Sequence, residues 1–451
     1  MAKQLFGTDG VRGVAGEYPL DPGTVHAIGM ALGGIARKLS EDPEVVIGID
    51  TRESGPWIAR QVAGGLARNG VRSRFAGVTT TPGIAFLTKT HAFVAGVMIS
   101  ASHNPFRDNG IKIFGHSGYK LPDTSEHEME RDIFALLEHG VEPREIELVQ
   151  DPGLDQHYTA HLESTLSRPL VGLKIVVDCG NGSASALAPQ LFESLGARVV
   201  PLCCEPDGRN INLGCGALHV EALRSKVLET GAEMGVAFDG DADRAMFVSR
   251  SGRIVNGDGV LLMAARWLHR YRRLTGPDGK PVVVATVMSN LGLERALKAL
   301  GIGMIRTPVG DKYVLEEMLR TGAVLGGEQS GHVIFLEHAT TGDGLLTALR
   351  VIEVMLEENA GLDELSAALV VYPQRLVNVR VRNRRPLDEL PAVTDEIRAA
   401  EAAFGDAGRI VVRFSGTEPL ARVMVEGPEE ERVDEFASRI AGAIERELGW
   451  A

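Results

Sequence analysis

Met98-Ile99-Ser100-Ala101-Ser102-His103-Asn104-Pro105 is the stretch from which the fold can be read. The apolar run from Ala92 to Ile99 has the length and the Val/Ile/Phe content of a buried strand. It breaks off into Ser, Ser, His and Asn, and Pro105 stops its continuation. In a chain of alternating strands and helices, small polar residues at a strand's end stand where α/β folds hold their ligands. Alone, Ser-x-His-Asn-Pro is equally an ordinary turn, and three later loops decide between the readings.

Upstream, Phe6-Gly7-Thr8-Asp9-Gly10-Val11-Arg12-Gly13 is a glycine-rich turn with one arginine. Val25, Ile28, Leu32, Ile35 and Leu39 line one face of an expected helix. Val45–Asp50 reads as a buried strand, followed by a helix over about 53–69. Downstream, Asn109–Phe114 is a short extended segment, and Ser125-x-x-Glu128 predicts a capping box opening the next helix. The pattern restarts at Leu173–Asp178, which runs into Gly180-Asn181-Gly182-Ser183, and again at Val282–Thr286, which runs into Ser289-Asn290. Three strand–polar loop–helix openings predict three α/β modules with mixed, mostly parallel sheets. After about Val370 the texture changes. Arg375–Arg382 alternates as a half-exposed antiparallel strand, and a last helix buries Val433, Phe436, Ile440, Ile444 and Leu448. The expected domains are therefore 1–153, 154–254, 255–369 and a smaller α+β unit, 370–451.

Bulk properties narrow the functions. The 451 residues allow about three domains, and 44% hydrophobic with 24% charged residues is ordinary soluble composition. A net charge of -13 without a Lys/Arg block disfavours nucleic acid and anionic membrane surfaces as partners. The N-terminus resembles no signal peptide and no apolar run reaches transmembrane length, so a cytoplasmic protein is expected. Cys179, Cys203, Cys204 and Cys215 show no zinc-ligand spacing and read as buried or idle thiols.

Phe238-Asp239-Gly240-Asp241-Ala242-Asp243-Arg244 is the sharpest signal. Alternate residues of an extended chain lie about 7 Å apart, so the three carboxylates share an ion only if the backbone curls, which Gly240 is expected to permit. Curled, they offer three oxygens to a hard cation such as Mg²⁺. An EF-hand is excluded, because its sixth and twelfth positions would be Arg244 and Arg250. Gly326-Gly327-Glu328-Gln329-Ser330-Gly331-His332 suits recognition of sugar hydroxyls, or is a hairpin turn. Arg413-Phe414-Ser415-Gly416-Thr417-Glu418-Pro419, with Arg422, has the form of a phosphate clamp: a nest of N–H groups beside a guanidinium fork. Neither a P-loop nor a Rossmann glycine fingerprint occurs, which argues against a nucleotide enzyme.

In this order, Ser-Ala-Ser-His-Asn-Pro, Asp-Gly-Asp-Ala-Asp-Arg, Gly-Glu-Gln-Ser-Gly-His and Arg-Phe-Ser-Gly-Thr-Glu-Pro resemble the α-D-phosphohexomutase superfamily over essentially the whole chain. Phe6–Gly13 and Gln329 are similar to its bacterial phosphoglucosamine mutase branch. The resemblance implies a mutase working through phosphorylated Ser102, with Asp239, Asp241, Asp243 and a phosphoserine oxygen around one Mg²⁺. It implies Glu328 and Ser330 on the sugar hydroxyls, and Arg413, Ser415, Gly416, Thr417 and Arg422 on the phosphate that does not react. Arg12, His103, Lys112 and Arg244 would line the phosphoserine. The implied ligands are glucosamine 6-phosphate, glucosamine 1-phosphate and an intermediate glucosamine 1,6-bisphosphate, and a homodimer is compatible with the family. For the base that takes the hydroxyl proton, Lys112 is favoured, its pKa expected to fall in a cationic pocket, with His332 as the rival. The alternatives are a phosphomannomutase/phosphoglucomutase, a Mg²⁺-dependent phosphatase that leaves Ser102 without a role, and a phosphosugar-binding sensor.

Overall fold

The computed structural model describes residues 4–7, 9–414 and 419–449. Its first sheet contains β1 (Val11–Val14), β2 (Glu44–Ile49), β3 (Arg72–Val78), β4 (Ala95–Ile99) and β5 (Asp108–Gly115), in the order β1-β5-β4-β2-β3. β2 runs parallel to β3 and β4, whereas β5 is antiparallel to β4 and β1. Successive side chains of a strand point to opposite faces. Val45, Ile47 and Ile49 accordingly join one buried cluster with Val97 and Ile99, and Val46 and Met98 join another. Both faces are covered, so these strands read as continuous apolar runs rather than alternating ones.

The second sheet contains β6 (Lys174–Asp178), β7 (Arg198–Leu202), β8 (Met234–Phe238), β9 (Ala245–Ser249) and β10 (Ile254–Val255), ordered β10-β9-β8-β6-β7. The third contains β11 (Val282–Thr286), β12 (Gly303–Thr307), β13 (Leu325–Gly327) and β14 (Val333–Phe335), ordered β12-β11-β13-β14. Both repeat the β3-β2-β4-β5 arrangement of the first sheet. In each, one strand (β4, β8 or β13) has a parallel neighbour on one side and an antiparallel one on the other. The Ser102, Asp239 and Glu328 loops all leave the carboxyl end of that strand, where open α/β sheets bind ligands. Three α/β modules are thus one topology used three times.

The chain divides into two compact units, Met1–Thr286 with Ile305–Ala367, and Val287–Met304 with Ala368–Ala451. The second has an antiparallel sheet of β15 (Gln374–Arg380), β16 (Arg409–Phe414) and β17 (Leu420–Glu426), ordered β15-β17-β16. Its last helix, Glu430–Leu448, buries the five apolar residues that the spacing picks out.

Two local expectations fail. The helix after β5 begins at Asp123, capped by Pro122 without a side-chain bond, so Ser125 and Glu128 form no capping box. Its early acidic residues, Asp123 and Glu126, complement the helix dipole instead. Leu39 ends the helix Pro22–Leu39 and is 58% exposed, because the buried stripe fades in its last turn.

Candidate active site

The Ser102 loop is held from beneath by β2. Asp50, just past the end of β2, pairs with Arg52, and both side chains are fully buried. Arg52 donates to the carbonyls of Ser102 (3.0 Å) and Asn104 (2.9 Å). Ser100 Oγ donates to Asp50 and accepts the Ser102 N–H at 2.9 Å. This network holds Ser102 at φ +52, a conformation L residues adopt only when their surroundings impose it. Arg12 lies on β1 opposite Gly110 of β5. The segment ahead of it is anchored by Glu130, which accepts the N–H groups of Gln4, Leu5 and Phe6.

The three carboxylates do curl together, each offering an oxygen within 4.8 Å of the others. The residue that turns the backbone is Ala242, at φ +57, rather than Gly240. Gly240 is needed for space: a Cβ there would stand 2.4 Å from the Ser102 carbonyl oxygen. The serine loop and the aspartate loop therefore touch backbone to backbone. Ser102 Oγ donates to Asp239 Oδ2 at 2.5 Å and lies 3.2 Å from His103 Nδ1.

Charge in this pocket is layered. Lys112, on β5, places Nζ 2.8 Å from Asp241, 3.0 Å from Asp9 and 3.4 Å from Asp243. Burial lowers its pKa, but Asp241, Asp9 and Asp243 outweigh burial and hold it well above the usual lysine value. The cationic pocket expected to deprotonate Lys112 is, on this side, anionic. Burial, with Asp243 and Asp241, pushes Asp239 well up, and Asp243 goes down as Lys112 and His332 overcome its burial. His103 falls to about 4, through burial and the nearby Arg244 and Arg12 guanidinium groups, and is neutral at pH 7.

The third loop closes the β13–β14 hairpin, the turn that its glycines also allow. Glu328 is buried, held by the Gly310 N–H at 3.1 Å and Ser330 Oγ at 3.2 Å. Gly342 N–H donates to His332 Nε2 at 3.0 Å, leaving the ring proton on Nδ1, toward Asp243. Asp243, Asp311 and Glu328 raise the His332 pKa against its burial. With one nitrogen filled and the other facing a carboxylate, His332 is placed to orient Asp243 rather than to accept a proton from a ligand.

Four domain descriptions of phosphoglucomutase/phosphomannomutase match in series: α/β/α domains I, II and III at 3–139, 156–252 and 256–372, and the C-terminal domain at 376–443. The chain belongs to the phosphoglucomutase/phosphomannomutase family. It is 62% identical over 449 residues to a phosphoglucosamine mutase of Solibacter usitatus, covering 100% of both chains. The crystal structure of a phosphoglucomutase/phosphomannomutase family protein from Burkholderia thailandensis superimposes with a TM-score of 0.79 at 26% identity, covering 97% of each chain. That of Aspergillus fumigatus N-acetylphosphoglucosamine mutase, in complex with GlcNAc-6P and magnesium, shares the fold with a TM-score of 0.65 at 19% identity, covering 99% and 96%. The family's enzymes are phosphotransferring isomerases, and this chain is one.

The family implies a metal ion, and the aspartate loop fits one. Asp241 Oδ1 and Asp243 Oδ1 are buried without a hydrogen bond, Arg244 lying 3.7 Å and the His332 ring 3.8 Å from the latter. Nearby, Arg12 Nε and Arg244 Nε are buried N–H donors, also without a hydrogen bond. Unsatisfied carboxylate oxygens call for a cation and unsatisfied guanidinium N–H groups call for an anion. A divalent ion with a phosphoryl group satisfies both.

Four participants escaped the sequence reading. Thr81 donates to Asp241, and Asp9 pairs with Arg12, Lys112 and Lys120. Asp311 pairs with Lys120 at 2.5 Å. Asp9 stands in the glycine-rich opening motif and was within reach of a reading that assigned only Arg12. In the second unit, Arg413 of β16 stands opposite Arg422 of β17. Burial and Arg422 lower the Arg413 pKa. Ser415, Gly416 and Thr417 lie outside the described residues.

Proposed function

We propose that the chain interconverts glucosamine 6-phosphate and glucosamine 1-phosphate through phosphorylated Ser102 and a bound glucosamine 1,6-bisphosphate. The observation that supports this most is the Ser102 hydroxyl, 2.5 Å from Asp239, in a pocket whose leftover hydrogen-bonding capacity matches a metal ion and a phosphoryl group. The donors are all carboxylate oxygens, which suits Mg²⁺, held by Asp239, Asp241 and Asp243 with a phosphoserine oxygen. When bound, that ion supplies charge neutralisation at the transferring phosphoryl group.

The O–P bond to Ser102 breaks as a bond to the free sugar hydroxyl forms, and the proton of that hydroxyl passes to the departing Ser102 oxygen, leaving Ser102 as the alcohol. The sugar turns over, its other phosphoryl group moves to Ser102, and the Ser102 proton passes to the sugar oxygen that the group leaves. Asp239 orients the Ser102 hydroxyl, accepting its hydrogen bond at 2.5 Å. Phosphoryl transfer depends on positioning and charge more than on covalent chemistry by the protein. Lys112 serves as an ammonium that, with Arg12 and Arg244, stabilises the equatorial oxygens. Neutral His103 lies beside Ser102 Oγ without adding charge. Glu328 and Ser330 take the sugar hydroxyls, with Glu328 fixed by Gly310 before substrate arrives. Arg413 and Arg422, with residues 415–417, grip the phosphate that is not transferred.

Initial rates on glucosamine 6-phosphate, glucose 6-phosphate and mannose 6-phosphate test the reading. The highest kcat/KM is expected on the amino sugar. A higher value on glucose or mannose 6-phosphate would move the assignment to a phosphoglucomutase/phosphomannomutase.

A further inference from the structure

All four cysteines of the chain converge near the carboxyl ends of β6 and β7. Cys203 and Cys215 face one another across Asp178, their sulfurs and a carboxylate oxygen lying mutually within 4.8 Å. Beside them, Cys179 Sγ donates to the Ala184 carbonyl at 3.4 Å and Cys204 Sγ to the Leu202 carbonyl at 3.2 Å. The Asp178 carboxylate is fully buried and fixed from two sides, by the Gly180 N–H at 2.9 Å and the Gly216 N–H at 3.0 Å. Each of its oxygens retains a lone pair beyond those bonds. Cys203 reaches the cluster from a left-handed backbone, φ +49, which a residue with a side chain adopts only under constraint. Cys215 is buried and Cys203 half-buried.

We propose that Asp178, Cys203 and Cys215 form a second metal site, specific for a borderline-soft divalent cation of the zinc type and distinct from the aspartate loop. Two thiolates and one carboxylate on a tetrahedral ion leave one position for water. Hard Mg²⁺ prefers the all-oxygen triad, whereas thiolates select zinc-like ions. Binding converts both thiols to thiolates and releases two protons, leaving a net charge of one negative on the filled site. Burial first, and then the neighbouring anionic groups, raise the Cys203 and Cys215 pKa values, so a cation relieves an unfavourable potential already present.

The site ties the ends of the segment 203–215, which carries Asn212. Asn212 Nδ2 donates to the Ser102 carbonyl at 2.9 Å, so a filled site would stiffen one support of the phosphoserine loop. From sequence the site is invisible, since its donors are separated by 25 and 12 positions; the parallel pairing of β6 and β7 brings Cys203 to Asp178, and the Gly216 N–H bond to Asp178 brings Cys215 there.

The test uses the full chain, chelator-stripped and kept reduced by a phosphine, with excess Mg²⁺ to fill the oxygen triad. Titration with Co²⁺ should produce a thiolate-to-cobalt charge-transfer band in the near ultraviolet, saturating at one equivalent and bleached by Zn²⁺. The band should vanish in Cys203→Ser and in Cys215→Ser and persist in Cys179→Ser and Cys204→Ser. Zn²⁺ should also raise Tm in the parent and not in Cys203→Ala, a half-exposed position whose change does not threaten folding. Absence of the band in the parent, or its persistence in both Cys203→Ser and Cys215→Ser, overturns the proposal. So does an equal Zn²⁺-dependent Tm rise in the parent and Cys203→Ala.

Discussion

Lys112 Nζ donates to Asp241 Oδ2 at 2.8 Å, and neither side chain is exposed to solvent. The ammonium is the main counter-charge to a cluster of buried carboxylates. Removing one partner of a buried ion pair costs roughly 3–5 kcal/mol, because the other charge is left uncompensated. Lys112→Met should therefore lower Tm sharply in the presence of chelator. Excess Mg²⁺ should recover part of the loss, since a cation at Asp241 and Asp243 replaces the missing charge. An equal Tm drop with and without Mg²⁺ would show that Lys112 acts by packing alone.

Ser102 combines the transferred phosphoryl group with a strained backbone. Intact-mass measurement of active protein should show one phosphoryl group, absent from both Ser102→Ala and Ser102→Gly, and both variants should lack mutase activity. Their stabilities should differ, because at φ +52 glycine avoids a left-handed penalty of roughly 1–2 kcal/mol that alanine retains. A fully active Ser102→Ala would sink the mutase mechanism and favour a phosphatase using the aspartate loop.

What the sequence revealed and what it hid divide along one line. Groups brought together by a single loop were legible: Asp239, Asp241 and Asp243, or Ser102 and His103. Groups reaching the pocket from separate elements of the fold were not. Thr81 and Asp241 stand 160 positions apart, and Arg52 supports Ser102 from 50 positions away, across the β2–β4 pair. The Lys112 error has the same origin. The nearby Arg12 and Arg244 were visible as motif residues, but Asp9, Asp241 and Asp243 around its ammonium were placed there only by the fold. Gly240 was picked out for the wrong reason, because a glycine can serve φ or space and only its neighbour, the Ser102 carbonyl, tells which.

His103 offers a spectroscopic check on charge near the nucleophile. Its pKa of about 4 comes from burial and from Arg244 and Arg12. A phosphoryl dianion on Ser102 neutralises those cations locally, so it should raise the His103 pKa. NMR titration of histidine-labelled protein, dephosphorylated against phosphorylated, measures this. The same pKa in both forms would mean that the phosphate does not lie against His103.

Asp343 caps the helix Gly344–Glu358, accepting the Leu346 N–H at 2.9 Å and the Tyr158 hydroxyl at 2.9 Å. Burial outweighs these bonds and raises its pKa from 3.8 to about 6. Between those values the folded protein binds more protons than the unfolded chain, so this residue's contribution to stability falls as pH rises from about 4 to 6 and is level above. Asp343→Asn keeps a capping oxygen and removes the charge. It should be more stable than the parent at pH 7.5, by at most about 3 kcal/mol, with the advantage fading towards pH 4. A stability difference independent of pH would show that Asp343 does not titrate in this range.

Arg413 and Arg422 occupy directly opposed positions on antiparallel strands, where like charges repel. If Arg413 holds the non-reacting phosphate with its planar fork, lysine cannot reproduce two parallel bonds. A hydrogen bond to a charged group contributes about 1.5–3 kcal/mol, so Arg413→Lys should lower kcat/KM roughly 10- to 150-fold. The contact is remote from the reacting atoms and acts by holding the substrate in line. Phosphorylation of Ser102 by glucosamine 1,6-bisphosphate should weaken as well, because that ligand needs the same grip. Transfer from preformed phosphoenzyme to saturating unphosphorylated glucosamine should be nearly unchanged, since that acceptor has no phosphate to hold. If Arg413→Lys slows this last reaction as much as the full one, Arg413 acts on the chemistry or on the fold, and its assignment to the spectator phosphate is wrong.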